Sequence, residues 1–229
     1  MTNLNNYFKS AFTVDCVIFG FDEGDLKILL IKRGEEPYED KWALPGYFVK
    51  PEEDLDVAAV RVLRELTGIT NVYLEQVSTF GAPGRHPLGR VITIAYYSLI
   101  KIKDFNLQAS SIATKASWLS VSDVKDLAFD HNLILESCFN RLKSQVRGRP
   151  VGFELLPPKF TLTELQHLYE AILETLLDKR NFRKKILSMD LLIDLHETQE
   201  GVAHRPAKLY KFDRFKYEKF VSEGFNFAL

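Results

Sequence analysis

The sequence predicts an α+β protein in two parts: a mixed sheet with helices packed on it, then helix, helix and β-hairpin in the order of a winged helix-turn-helix. Three observations lead there. Residues 11 to about 119 are dense in β-branched and aromatic runs. Residues 150–158 carry three prolines and Gly152, which punctuates the chain. Beyond them the apolar spacing becomes helical. The expected organisation is a first domain over 1–149, a linker over 150–158 and a second domain over 159–229.

The elements follow in order. TVDCVIFGF and LKILLIKR flank the turn Asp22-Glu23-Gly24-Asp25 and read as a hairpin. Asp54 can cap a helix that stops at Gly68, with Leu55, Ala59, Val62 and Leu66 on one apolar stripe. NVYLEQVSTFGAP, RVITIAYYSLIKI and ATKASWLSV supply further strands. A helix over 130–146 places Ile134, Leu135, Cys138 and Leu142 on one side, and its exit is basic, with Arg141, Lys143, Arg147 and Arg149. Thr161 and Glu164 form a capping box, and Leu165, Leu168, Tyr169, Ile172, Leu173 and Leu176 continue as a stripe. A second helix starts at Asp178, turning Phe182, Ile186 and Met189 inward. DLLIDLHE and AKLYKFD then read as strands joined by the loop 198–206.

Composition bounds the function. The 229 residues suit two modest domains, and 46% hydrophobic content can bury real cores. A formal net charge of -1 gives no global field for nucleic acid or membrane, so any such case must be local. Cys16 and Cys138 show no paired spacing, as expected of buried thiols in a reducing cytoplasm. No segment has the length of a signal-peptide core or a membrane span. The five histidines are scattered and suggest no zinc site. No metal and no cofactor is implied.

The stretch GYFVKPEEDLDVAAVRVLRELTGI, residues 46–69, resembles a Nudix box. Arg61, Leu63, Glu65, Gly68 and Ile69 align with the family's pattern, and one extra residue separates Gly46 from Glu53. Val62 and Leu66 stand where the family carries two of its three magnesium-holding helix glutamates. A diphosphate hydrolase needs carboxylates converging there, because magnesium takes hard oxygen ligands. The resemblance therefore implies a Nudix α/β/α sandwich without the family's metal chemistry, Glu53 and Glu65 being vestiges. The alternative is an active Nudix hydrolase of a nucleoside diphosphate-linked substrate such as ADP-ribose, with Glu53, Asp56 and Glu65 gathering metal by a rearranged route.

Lys179, Arg180, Asn181, Arg183, Lys184 and Lys185 crowd the second helix of the C-terminal motif. Arg180, Arg183 and Lys184 are expected on the face away from Phe182 and Ile186, with Asn181 near the front, where an amide can pair with adenine. His204, Arg205 and Lys208 make the hairpin loop a basic wing. The competing reading of the same charges is a solvated basic face.

FTLTELQHLYEAIL, LDKRNFRKKILSM and RPAKLYKF, behind a degenerate Nudix domain, resemble the Nudix-related bacterial transcriptional regulators, among them repressors of NAD metabolism and a regulator of arabinose use. That resemblance implies a ligand-sensing first domain, a homodimer and paired winged helices on a palindromic double-stranded DNA operator. Candidate effector contacts are Arg85 and Arg90 in GAPGRHPLGR, with Arg33, Glu36 and Trp42 in KRGEEPYEDKWALPG before the box. In the related proteins that loop reads more like P-G-R-D-P-R-G-R; here His86 and Leu88 depart from it, and Tyr47 replaces a glycine. Two effector classes stay open, a free sugar such as a pentose and an ADP-ribose-like nucleotide. Bracing of a loop is the competing role for Arg85 and Arg90, and core packing is the competing role for Trp42.

Overall fold

The computed structural model describes residues 10–22, 24–109, 112–202, 205–225 and 227. The chain divides into two compact units. One comprises the residues up to Gly20 with Lys27–Asn140, and the other Phe21–Leu26 with Arg141–Leu229. The division falls at 140/141, ahead of the proline-rich segment that marks it in the sequence.

In the first unit β1 (Ala11–Asp22), β2 (Asp25–Arg33), β3 (Trp42–Ala43), β5 (Glu75–Phe80) and β6 (Val91–Ile100) lie in the order β3-β2-β1-β6-β5. The short β4 (Gly46–Phe48) pairs with β1, and β7 (Ala113–Ser120) pairs with β2. The sheet is mixed: β1 and β6 run parallel from Ala11/Val91 to Gly20/Ile100, and the other pairs are antiparallel. Residues 13–20 of β1 are all buried, the mark of a strand covered on both faces. On one face Val14, Cys16 and Ile18 meet Ala58, Ala59, Val62, Leu63 and Leu66 of α1 (Leu55–Thr67). On the other, Phe19 packs 6.0 Å from Phe139 of α2 (His131–Gly148). The alternating side chains of one strand thus hold two helix layers apart, which makes the α/β/α sandwich.

α1 forms where its local signals place it. The Asp54 carboxylate accepts the Leu55 N–H at 2.6 Å, and Gly68 closes the helix at φ 78 with its N–H on the Arg64 carbonyl. Val62 and Leu66 are 0% and 2% exposed, so together they stabilise the sheet contact by roughly 3–6 kcal/mol.

The second unit is built on α3 (Leu162–Leu173), α4 (Lys179–Ser188) and the hairpin of β8 (Leu192–Thr198) and β9 (Lys208–Phe212). Both halves of the Thr161/Glu164 capping box are made, at 3.1 and 2.7 Å. Leu165, Leu168, Tyr169 and Ile172 are buried, and Tyr169 meets Phe182 of α4 at 5.9 Å. Phe160 bridges Tyr210 through two backbone hydrogen bonds of 3.0 and 2.8 Å, which ties the entrance of α3 to the hairpin.

Three features depart from the sequence expectation. Residues 150–158 form no bare linker: Pro150–Leu155 is a 3-10 turn whose Pro150, Gly152, Phe153 and Leu155 are buried, with Phe153 stacked on Phe212 at 4.4 Å. Pro150 starts that turn, and its apolar residues draw it into the core. The α3 stripe ends early, because Glu174 takes a left-handed φ of 52, leaving Leu176 90% exposed in the connection to α4. A further helix, α5 (Arg214–Ser222), follows the hairpin, capped by Asp213 on the Lys216 N–H.

Candidate functional site

In the first unit, a cleft enclosing about 600 Å³ of solvent-open space lies beside β1 and β4. Its lining includes Asp15, Arg33, Glu35, Glu36, Tyr47, Arg85, His86, Phe129 and His131. Of the five effector contacts expected from the sequence, Arg33, Glu36 and Arg85 line it. Trp42 and Arg90 do not. Trp42 sits in β3 opposite Lys32 with the Lys115 ammonium 5.8 Å from its ring, and Arg90 donates to the Gly81 carbonyl.

The floor of the cleft is a buried charge network. Arg85, its side chain only 4% exposed, grips Asp130 with Nε at 2.8 Å and a terminal nitrogen at 2.6 Å. The same terminal nitrogen lies 3.9 Å from Asp15, whose carboxylate also accepts from the Thr93 hydroxyl at 2.6 Å. His131 Nδ1 accepts the Leu44 N–H at 3.0 Å, so the neutral ring carries its proton on Nε2, 3.4 Å from Asp15. Burial pushes the His131 imidazole below its ordinary value despite Asp15 and Asp130, which keeps it neutral near pH 7. Gly46 is required by this packing: a Cβ there would meet the Asp15 carboxylate at 1.8 Å.

Above that floor is an aromatic wall. The His86 ring stacks on Phe129 at 5.0 Å and 14°, Tyr38 meets Phe129 edge-on at 4.8 Å, and the Arg33 guanidinium lies 4.9 Å from the Phe129 centroid. Arg33 is fixed in place by donation to the carbonyls of Pro37 at 2.8 Å and Glu35 at 3.3 Å. Burial, with the cations Arg85 and Arg33 nearby, lowers the His86 imidazole below its ordinary value. The cleft's charges are mixed: Arg85 is already committed to Asp130, and Arg33 shares the lining with Asp15, Glu35 and Glu36.

The box acids are engaged elsewhere. Arg61 binds both Glu53 oxygens at 2.8 and 2.5 Å, Glu65 at 2.9 Å and the Phe48 carbonyl at 2.9 Å. The Arg61 hydrogen bonds hold the Glu53 carboxyl down at about 2, against the opposing cost of desolvation. Asp56 accepts from the Tyr96 hydroxyl at 2.6 Å. Of the three carboxylates of the rearranged metal route, Glu53 and Glu65 thus share Arg61, and Asp56 is held apart by Tyr96.

The sequence reading missed Asp15, Phe129, Asp130 and His131. The only sequence signal for them was an aspartate inside an otherwise apolar strand and the run Phe-Asp-His at a helix start.

In the second unit α4 begins as expected, with the Asp178 carboxylate on the Asn181 N–H at 2.8 Å. Phe182 and Ile186 face inward, while Lys179, Arg180, Asn181 and Lys184 are exposed. Arg183 is placed differently from the expectation of a shared outward face. It lies 80° from the buried pair at about 100° per residue, is half-buried, and donates to the Thr163 hydroxyl on α3 at 3.0 Å. Arg205 is exposed on the wing, and Lys208 pairs with Asp194 at 3.0 Å. His204 lies outside the described residues. The turn before α4 is clamped by Glu170, which accepts from the Leu177 N–H and from Gln166, both at 2.9 Å, while Gln166 donates to the Leu177 carbonyl at 3.0 Å.

Comparison with known proteins agrees with both halves. Residues 9–138 match the NUDIX domain family, and residues 152–212 match the NrtR DNA-binding winged helix domain. The chain is 38% identical over 218 residues to the "ADPR responsive transcriptional repressor NtrR" of Acinetobacter baylyi, covering 93% of this chain and 86% of that protein. The crystal structure of Shewanella oneidensis NrtR complexed with a 27mer DNA is 32% identical with a TM-score of 0.72, over 88% of this chain and 93% of that one. The NUDIX domain of the same Shewanella protein, crystallised with ADP ribose, is 30% identical with a TM-score of 0.55, over 62% of this chain and 99% of that one. No helix among the described residues is long and apolar enough to cross a membrane. With a Nudix sandwich followed by a winged helix whose second helix presents a basic face, the chain belongs to the NrtR family of Nudix-type, DNA-binding transcription regulators.

Proposed function

We propose that this chain is an ADP-ribose-responsive transcriptional repressor. It acts in the cytoplasm as a homodimer, setting two α4 helices on a palindromic operator, and takes its effector into the cleft of the first unit. The observation that carries this reading is the state of the box helix: Val62 and Leu66 are buried in the core and Arg61 occupies Glu53 and Glu65, beside a cleft that keeps Arg33 and Arg85. Such a site suits holding a diphosphate without cleaving it. Arg33 offers its guanidinium to a phosphorylated effector, whereas a free pentose brings no anion to it. The relative described as ADPR responsive and the ADP-ribose complex of the Shewanella domain support the same choice.

Arg180, Lys184 and Asn181 would enter the major groove, with Lys179 and Arg205 on phosphates. An effector alters operator affinity only through its different affinities for the DNA-competent and incompetent arrangements. Fluorescence anisotropy with duplexes from the protein's own promoter region tests this. ADP-ribose should shift the binding midpoint about 5- to 150-fold and arabinose should not, while incubation with ADP-ribose and magnesium should release no AMP. Arg180→Ala and Lys184→Ala should each weaken operator binding by about 1–3 kcal/mol where they read bases. Turnover of ADP-ribose abolished by Glu65→Ala would establish the hydrolase instead, and a response to arabinose alone would establish a sugar sensor.

A further inference from the structure

Phe129 is the hub of the cleft's aromatic wall, and its backbone is in an unusual state. Its φ is 55, and that of Tyr38, which meets it edge-on, is 66. Bulky side chains rarely adopt this left-handed region, and such strain concentrates where the surroundings impose a functional geometry. Here it presents the Phe129 ring to the cleft with two flat partners, the Arg33 guanidinium and the His86 imidazole.

The two partners are held very differently. Arg33 is anchored by two backbone carbonyls. His86 lies in the loop 81–90, where Gly84 and Gly89 have positive φ and open space around them and Leu88 is 78% exposed. Among the described residues its ring takes one hydrogen bond, the Leu88 N–H accepted by Nδ1 at 3.3 Å within the same loop, and it meets Phe48 edge-on at 6.4 Å. Arg85 pins the loop through Asp130 one residue earlier, so the His86 ring can leave its stack by side-chain rotation while the loop stays attached. The ring it would vacate faces the same cleft as the two arginines.

From this arrangement we infer that His86 is a placeholder: the planar base of an adenine nucleotide takes its position on Phe129, with the phosphates toward Arg33. The inference rests on the cleft being the effector site. It adds which part of the effector is read by stacking, and which residue must move to admit it. Flat rings stack on an aromatic face with little dependence on their hydrogen-bonding edges, so the base supplies affinity and Arg33 supplies selection for phosphate.

Calorimetric titration of the full-length protein with ADP-ribose, AMP and ribose 5-phosphate tests it. The two adenine compounds should bind more tightly than ribose 5-phosphate. Phe129→Leu should weaken ADP-ribose on the order of ten- to a hundredfold and leave ribose 5-phosphate within about twofold, with Phe129→Trp recovering most of the loss. His86→Ala should tighten ADP-ribose, and the His86 ring proton resonances should lose their upfield ring-current shift as wild type saturates. Operator binding by each variant without effector confirms that it is folded. Unchanged ADP-ribose affinity in Phe129→Leu, weaker binding in His86→Ala or a stationary His86 resonance at saturation would overturn the stacking inference while leaving the sensor reading intact. No binding of any of the three compounds to wild type would remove the sensor reading, and this inference with it.

Discussion

Replacing Arg85 with methionine should cost the first unit about 3–5 kcal/mol. The figure follows from what the side chain does. Arg85 makes two charge-assisted hydrogen bonds to Asp130, at 2.8 and 2.6 Å, from a position only 4% exposed to solvent. Each is worth roughly 1.5–3 kcal/mol. Methionine fills the same space but leaves the Asp130 carboxylate, 16% exposed, without its cation and close to Asp15. At roughly 3 °C per kcal/mol, differential scanning calorimetry should show the first unit's transition fall by about 10–15 °C. Arg85→Lys keeps the charge but cannot span both oxygens and should lose about half as much. Asp130→Asn in the Arg85→Met background should recover part of the loss, because the stranded charge is gone, giving a coupling energy of at least about 1.5 kcal/mol. A loss below about 1 kcal/mol in Arg85→Met, or additive single and double changes, would show that the buried pair does not form in solution.

Other consequences are open to measurement. Glu170→Ala removes the acceptor for the Leu177 N–H and should weaken operator binding while costing the second unit about 1–3 kcal/mol, read by anisotropy and thermal melting; wild-type operator affinity would show that the clamp does not position α4. The Glu53 carboxyl is held at about 2 against an ordinary 4.5, so its stabilising contribution is complete above about pH 5 and disappears as the pH falls toward 2. Urea titrations should therefore show wild type losing more stability than Glu53→Gln across that window, and parallel curves would refute the Arg61 pairing. Restoring the family acids with Val62→Glu and Leu66→Glu should unfold the first unit rather than create a hydrolase, since both positions are buried among apolar side chains; a folded, magnesium-dependent enzyme would refute that packing.

Much of this protein is written locally. The Asp54 cap and Gly68 stop fix α1, the Thr161/Glu164 box starts α3, and Asp178 starts α4, because each signal acts through hydrogen bonds within one helical turn. That Val62 and Leu66 belong to the core was legible for the same reason, since helical spacing places them on the apolar stripe; that they stand in for magnesium acids was what the resemblance to the Nudix box implied. The basic face of α4 was legible except for Arg183, whose hydroxyl partner Thr163 lies twenty residues away on another helix. The early end of α3 was hidden because apolar periodicity continues to Leu176 while the backbone turns at Glu174.

The cleft was decided by the tertiary structure. Asp15, Arg85 and Asp130 come from a strand, a loop and a helix start, and Arg85 and Asp130 are 45 residues apart. Their charges answer one another only after the sandwich has closed. Sequence periodicity records which residues leave water; it carries no record of which buried charge will meet which. That pairing, and the stacking of His86 on Phe129, depends on distances set by packing across the whole sheet.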